Sequence, residues 1–211
     1  MNQSVEPDNW EHYVEPENGE TPTMSITYAR DMTTDARPRG YSQCYVIASS
    51  FSDEECMESG LPHRSVLEEY LSIQYSMTRS LELAEIECLL VAMLTGGNTR
   101  RLLFQVKGSS EVPFVDTVQK QLDTSPFPSR MALAAEDWEL FDRAVAPDED
   151  QIRQIQTRYA IEALEESGFA RGGTVVLEHV FEGSEAALNR LEESLCDDDS
   201  YFLTERKENR V

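Results

Sequence analysis

The chain has 211 residues, 40% of them hydrophobic, which is enough for one large or two small cores. Its 40 acidic side chains outnumber 18 basic ones, and the formal charge is -22. Such a field repels nucleic-acid phosphates and anionic lipid headgroups and attracts basic proteins, so direct nucleic-acid and membrane binding are disfavoured. A composition with three lysines is also typical of a salt-adapted or GC-rich host, which is a second explanation of the charge.

The first residues show neither the cationic start nor the apolar core of a secretory signal. No window approaches the roughly 20 apolar residues that cross a bilayer. We therefore expect a cytoplasmic protein. Cys44, Cys56, Cys88 and Cys196 lack the close pairing of zinc or redox motifs. Cys44 and Cys88 fall in apolar strand patterns, which indicates small buried side chains.

The first elements in chain order are strands. Residues 9–14 and 23–30 predict two strands, and Pro16–Gly19 between them carries an Asn-Gly turn signal. Residues 41–51 predict a third strand. After a break at Gly60-Leu61-Pro62, apolar residues at helical spacing predict a helix over 64–81 that covers the sheet.

The next segment repeats this pattern. Apolar runs at 86–95 and 101–107 predict strands joined by a hairpin at Gly96-Gly97-Asn98. Residues 113–122 predict a second helix, and 131–135 predict the last strand, together with Leu140-Phe141. Three strands, a helix, two strands, a helix and a strand favour an antiparallel α+β sandwich.

A second domain is predicted to begin near Pro147. Asp148 is a suitable N-cap, acidic residues follow in the first turn, and apolar residues then keep helical spacing toward Gly168. This domain is completed by a predicted strand at 175–180, a helix capped by Ser184 and a return strand from Tyr201. The predicted domains are 1–146 and 147–211. The fold class is α+β, with two small antiparallel sheet-plus-helix domains of the ferredoxin-like sandwich type.

Two parts of the chain resemble known families. Ala163–Gly168 at a helix end and the strand Val176–Phe181 before a Ser/Glu/Ala-rich helix resemble the opening of the RraB family, protein inhibitors of ribonuclease E. The resemblance covers residues 150–206, and the second strand–helix repeat of the family has no counterpart before Val211. It implies a helix-strand-helix-strand domain and a ribonuclease as partner.

The front of the chain resembles a bacterial domain family of unknown function that is often joined to an RraB-like part. The segments that carry this resemblance are Trp10–Tyr13, Ser25–Tyr28, Gly60-Leu61-Pro62 and Gly96-Gly97. This family implies no known catalytic residue. The order of the two resemblances along the chain matches the order in the joined proteins.

No catalytic, cofactor or metal residue is predicted. His12, His63 and His179 are too scattered for a metal motif, and the carboxylate run at 53–55 lacks the spaced ligands of a calcium loop. The glycines at 96–97 lead into a strand where a phosphate loop needs a helix. The serines at 49, 50 and 52 lack the turn motif of a hydrolase nucleophile.

One surface is predicted to bind a partner. The last helix presents a strip of polar and acidic side chains that can take the place of phosphates in front of a basic protein. Its residues are Glu185, Asn189, Glu192, Glu193, Asp197, Asp198 and Asp199, with His179 on the preceding strand; the alternative is an ordinary solvated face.

The sequence thus favours a non-enzymatic, acidic protein-binding regulator of a basic nucleic-acid-processing partner such as a ribonuclease. A toxin-neutralising immunity protein is an alternative within the same class, and an enzyme of unrecognised type is the alternative outside it. An enzyme requires a concave pocket with converging polar groups, whereas a binder requires an exposed anionic or apolar face.

Overall fold

The computed structural model describes residues 9–15, 24–33 and 37–168. The chain divides into two compact units, Met1–Ala163 and Leu164–Val211. In the described residues the strands are β1 (Trp10–Glu15), β2 (Met24–Ala29), β3 (Tyr41–Ser50), β4 (Cys88–Gly96), β5 (Thr99–Lys107) and β6 (Ser129–Glu136). The helices are α1 (Arg64–Leu83), α2 (Glu111–Leu122), α3 (Glu139–Ala144) and α4 (Glu149–Glu166).

The six strands of the described residues form one antiparallel sheet in the order β1-β2-β4-β5-β3-β6. From β3 to β6 the elements follow in the order strand, helix, strand, strand, helix, strand. The hairpin of β1 and β2 extends this sheet beside β4. Strands β4 and β5 are therefore central, and nearly all of their side chains are buried.

Helices α1 and α2 cover one face of the sheet. Successive side chains of a strand point to opposite faces, so Leu102, Phe104 and Val106 of β5 share a core with these helices. From the helices, Tyr70, Met77, Leu81, Phe114 and Val118 enter the same core. The rings of Phe104 and Phe114 lie 5.5 Å apart, and those of Tyr45 and Phe114 lie 5.2 Å apart.

Helices α3 and α4 lie against the opposite face. Leu89, Val91 and Leu103 of the central strands form a second core there. Phe141 and Val145 from α3 and its end, and Ile155 from α4, complete this core together with Tyr13, Ile26 and Tyr28 of the outer hairpin. The hydroxyl of Tyr13 donates a hydrogen bond to the carbonyl of Val145 over 2.9 Å, which fixes the segment between the two helices.

Strand β6 is an edge strand with an irregular register. Tyr45 of β3 lies opposite Leu133, but the next pair is Cys44 with Ala135, so Ala134 is an extra residue in β6. Leu133 points to the α2 side at the border of the first core and remains 49% exposed.

The structure confirms most predicted elements. The three first strands, the helix after Pro62, the hairpin at Gly96-Gly97 and the second helix all lie where the patterns indicated. Cys44 and Cys88 are buried. Asp148 caps α4 as predicted: its Oδ1 accepts from the Gln151 N–H over 2.8 Å, and Gln151 Oε1 accepts from the Asp148 N–H over 2.8 Å.

Two predictions need correction. The pair Leu140-Phe141 belongs to helix α3 and not to a strand, because the rings of Trp138 and Phe141 meet edge to face at a three-residue spacing and the Asp142 N–H donates to the Trp138 carbonyl. The division of the chain falls after Ala163 and not near Pro147, because α4 places Ile155 in the core of the sheet. The turn at 16–19, Cys196 and the elements expected beyond Gly168 lie outside the described residues.

Candidate functional site

A cavity of about 420 Å³ lies between strands β1 and β2 and the start of helix α4. We call it the α4 cavity. Its wall includes Glu11, Tyr28, Arg30, Ile152, Ile155 and Tyr159. The volume is within the roughly 300–1,000 Å³ typical of small-molecule sites, which are mostly apolar with a few placed polar groups.

The alternation of β1 determines which side chains face this cavity. Tyr13 enters the core beside α3 and α4, and Glu11, two positions earlier, lies on the same side. The Glu11 carboxylate is consequently buried, with 4% of the residue exposed. A buried carboxylate is costly unless donors surround it.

Helix α4 supplies those donors. Oε2 of Glu11 accepts from the Tyr159 hydroxyl over 2.5 Å, and Oε1 accepts from the guanidinium of Arg158. Oε1 also accepts from the His12 N–H over 2.9 Å, while Arg158 Nη1 donates to the His12 carbonyl over 2.6 Å. Both oxygens of the carboxylate therefore have charged or strong donors.

These contacts fix the ionisation of the group. Burial acts to raise the pKa of Glu11, but the hydrogen bonds from Tyr159, His12 and Arg158 outweigh it and hold the pKa below its ordinary value. The bond to Glu11 raises the pKa of Tyr159, and burial together with the Glu11 charge raises the pKa of Tyr28 to about 12. At neutral pH Glu11 is thus a fixed anion and both phenols are neutral, so none of them is suited to general acid–base catalysis.

A second polar feature crosses the face of the sheet under α1. Cross-strand partners share a face, and five consecutive strands place a polar residue in one line. We call this line the polar row: Ser129, Ser49, Arg100, Thr95 and Ser25. Ser49 lies 2.7 Å from the Ser129 hydroxyl and 3.3 Å from that of Tyr70, measured between oxygens.

Arg100 at the centre of the polar row is a buried cation with 8% of the residue exposed. Its Nη1 donates to Thr95 Oγ1 over 2.7 Å, and its Nη2 donates to Gln74 Oε1 over 3.3 Å and to Met93 Sδ over 3.2 Å. The guanidinium carbon lies 5.5 Å from the centre of the Tyr70 ring. All of these partners are uncharged.

The predicted partner-binding residues from His179 to Asp199 lie outside the described residues. Of the other residues considered, His12 is half-buried and its Nδ1 lies 3.4 Å from Thr27 Oγ1, while His63 is exposed just before α1. Asp53–Glu55 form a short 3-10 helix, and Ser49 belongs to the polar row. Within the described ranges, no three His, Cys, Asp or Glu side chains converge as a metal site would require. The helices of these same ranges are too short or too polar to span a bilayer.

Sequence reasoning missed Glu11, Arg158, Tyr159 and Arg100. The alternation of β5 could have identified Arg100. Arg100 lies two and four positions before Leu102 and Phe104, so its side chain points to the same buried face of the sheet. Glu11 shares its parity with Tyr13 in the same way. Nothing local indicates that Arg158 approaches Glu11, since they are 147 positions apart.

Comparison of the chain with protein-family models, with curated proteins and with solved structures finds no match. The resemblances to the RraB family and to a domain family of unknown function stay predictions.

Proposed function

We propose that the protein is a non-enzymatic, acidic binding protein that regulates a basic nucleic-acid-processing partner such as a ribonuclease. The observation that carries this proposal is the exposed face of α4. Ile152 and Tyr159, seven positions apart and therefore on one side of this helix, are large apolar residues that remain 41% and 43% exposed. Exposed apolar anchors surrounded by charge are typical of protein-binding surfaces.

Carboxylates surround these anchors. Glu149 and Asp150 are both exposed and share the single cation Arg153, and Glu162 is exposed beside Arg158. Elsewhere in the described residues, Arg37, Arg64, Arg79 and Lys107 also form ion pairs within the chain. With 40 acidic side chains against 18 basic ones, the chain carries a net negative charge, and an acidic surface of this kind attracts basic proteins.

The architecture is consistent with this class of protein. We propose that both units are ferredoxin-like sandwiches, and the strand-helix-strand-strand-helix-strand order from β3 to β6 supports this for the first unit. The RraB-like interpretation is retained as part of the proposal for the second unit, Leu164–Val211, whereas Ile155 of α4 packs in the core of the first. Together they describe a regulator that acts by occupying a surface of its partner and not by chemistry.

The test is affinity capture from bacterial lysate, at low and at high salt, with the captured proteins identified by mass spectrometry. One variant carries Glu149→Lys and Asp150→Lys, and a second carries Glu185→Lys, Glu192→Lys and Glu193→Lys. The control carries Glu54→Lys and Glu58→Lys, an equal change of charge to that of the first variant at exposed sites away from α4. Circular dichroism establishes that each variant is folded.

We expect one basic nucleic-acid-binding protein to be captured by the wild type at low salt and less at high salt, because salt screens exposed charges. Capture falls in one or both of the first two variants and not in the control. The purified partner, if a ribonuclease, cleaves RNA more slowly when the chain is added. Equal loss in all variants would contradict a defined binding face, and a secreted toxin as partner would favour an immunity protein.

The α4 cavity supports the alternative of a small-ligand site, since polar groups do converge there. An enzyme that used it for general acid–base catalysis would need a group that exchanges protons near neutral pH. Glu11, Tyr28 and Tyr159 have pKa values displaced away from neutrality. The cavity therefore favours binding, and we place it within the same contact surface as Ile152 and Tyr159.

A further inference from the structure

The wall of the α4 cavity consists mainly of aliphatic side chains and aromatic rings. Its apolar members are Tyr28, Ala146, Pro147, Ile152, Ile155 and Tyr159. Two of them, Ile152 and Tyr159, also remain exposed, so the apolar surface continues from the cavity onto the outer side of α4. A small molecule held inside the cavity would leave this outer part in water. A protein segment that enters the cavity also covers the surface beside it.

The one carboxylate of the wall is already bonded within the chain. Oε1 of Glu11 accepts from Arg158, and Oε2 accepts from the Tyr159 hydroxyl. Arg158 balances the charge of Glu11, so the occupant has no need to supply a cation there. Arg30 and Gln156 are the other polar residues of the wall, and both are exposed. The part of an occupant that enters among the apolar side chains is consequently apolar and uncharged.

Carboxylates lie around the end of the cavity at which α4 begins. Glu149 is three positions before Ile152 and therefore on the same side of the helix, and its side chain is exposed. Asp150 follows it and is exposed as well. Glu15 of β1 accepts from Gln151 Nε2 over 3.2 Å, so a carboxylate of the sheet also reaches the first turn of α4.

The described residues at this end contain fewer arginines than carboxylates. We call them the cavity rim: Glu15, Asp31, Asp148, Glu149 and Asp150, with Arg30 and Arg153. Arg153 lies 3.4 Å from Asp150, and Arg30 is directly followed by Asp31. The rim keeps an excess of negative charge, which attracts lysine and arginine side chains of a partner and repels acidic ones.

We propose that the α4 cavity binds one apolar side chain of a basic partner, in a segment of that partner where lysine or arginine flanks the apolar residue. The apolar side chain packs against Tyr28, Ile155 and Tyr159, and the basic side chains reach the carboxylates of the cavity rim. An apolar anchor in a pocket is where interfaces usually concentrate their binding energy. This inference rests on the proposed function and specifies its contact.

The first test selects binders from a library of random peptides displayed on phage, with the full-length wild type as the target. We expect the enriched peptides to share an apolar residue flanked by lysine or arginine. Fluorescence polarisation then measures the affinity of each enriched peptide for Ile152→Ser and Ile161→Ser. The two isoleucines are 41% and 47% exposed, but they are nine positions apart on opposite sides of α4, and of the two Ile152 lines the cavity.

Peptide binding should weaken about tenfold or more in Ile152→Ser, because the contact of the anchor with one isoleucine is lost. It should stay within about twofold of the wild type in the matched control Ile161→Ser. Glu149→Gln combined with Asp150→Gln should weaken binding at low salt and have less effect at high salt. The proposal would be overturned by enriched peptides without basic residues, by equal affinity for wild type and Ile152→Ser, or by a selection that enriches no peptide.

Native mass spectrometry of the purified protein tests the other possible occupants. A small molecule or a second copy of the chain that is bound in the wild type and in Ile161→Ser, and lost in Ile152→Ser, would overturn the proposal. The absence of both from the wild type supports a cavity that is open to a partner.

Capture from lysate separates this inference from the proposed function. Ile152→Ser should capture less of the partner than Ile161→Ser does. If both capture as much as the wild type, while Glu149→Lys combined with Asp150→Lys loses the partner, the proposed function stands and the cavity is not its contact. Basic peptides that bind at the cavity while no partner is captured would count against the proposed function alone.

Discussion

Tyr159 donates a 2.5 Å hydrogen bond to Glu11 across 148 positions of sequence and so connects helix α4 to edge strand β1. Arg158 donates to the other oxygen of the same carboxylate. One buried acid thus holds the last helix of the first unit against the sheet. Both side-chain donors of this contact come from neighbouring residues of α4.

Glu11→Gln tests the contribution of that acid. We expect the free energy of unfolding at pH 7 to fall by about 1.5–3 kcal/mol, the usual worth of hydrogen bonds to a charged group. Because the folded-state pKa lies below the ordinary value of 4.5, the contribution is complete above that value and is lost as pH falls through the folded-state pKa. Urea unfolding from pH 7 to pH 3 should therefore show a flatter acid limb in the variant.

The control for this experiment is Glu69→Gln, an exposed acid on α1. It should change stability by less than about 0.5 kcal/mol and keep the acid limb of the wild type. An unchanged acid limb in Glu11→Gln would mean that the carboxylate is not ionised and bonded as described.

Gly60→Ala and Gly108→Ala form a matched pair. Gly60 has a φ of +75°, and a Cβ there would lie 3.0 Å from the backbone nitrogen of Gly97. We expect a loss of at least about 1 kcal/mol, since alanine disfavours this conformation and the neighbour is backbone. At Gly108 a Cβ meets nothing within 4 Å, and alanine should gain about 0.4–1 kcal/mol. Thermal unfolding of both variants measures the difference, and equal effects would contradict the close approach of the two loops.

Phe114→Ala measures the core beneath α2. Phe114 is fully buried against Phe104 and Tyr45, so truncation should cost about 3–5 kcal/mol. Val112 on the same helix is 70% exposed, and Val112→Ala should stay within about 0.5 kcal/mol of the wild type. Denaturant unfolding followed by tryptophan fluorescence compares the two variants. Similar losses would show that α2 is placed differently on the sheet.

Truncation locates the end of the first unit. A chain ended after Gly168 retains α4 and should keep the cooperative unfolding of the sheet. A chain ended after Ala146 lacks Ile155, Arg158 and Tyr159, which leaves the Glu11 carboxylate without its charged partner and should cost about 3 kcal/mol or more. Urea midpoints of the two fragments distinguish them, and equal midpoints would restore a boundary near Pro147.

Local patterns were sufficient for the elements of this fold and insufficient for its sites. The apolar runs of β4 and β5 and the helical spacing of α1 are set by burial on two faces or on one, which a short window of sequence records. Leu140-Phe141 was assigned wrongly because two adjacent apolar residues have no period, and the helix is identified by contacts in the structure, such as the hydrogen bond from the Asp142 N–H to the Trp138 carbonyl.

The candidate sites depend on pairs that are distant in sequence. Glu11 and Arg158 meet because the sheet and α4 pack together, and no window contains both. Arg100 and Arg101 are adjacent and chemically identical, yet one is buried and one exposed because the strand alternates. Parity could have separated them, but the absence of a carboxylate near Arg100 among the described residues is a property of the packed structure alone.

The extra residue Ala134 has a consequence for the protein in concentrated solution. An edge strand that offers a regular row of N–H and C=O groups can recruit a second copy and start a fibre. In β6 the extra residue shifts the outward-facing N–H and C=O groups at Ala134. A second strand whose hydrogen bonds match Ser129–Leu133 therefore no longer matches β6 at Glu136. A docking copy can form only the first part of the ladder, and growth of ordered aggregates along this edge is arrested after a few bonds.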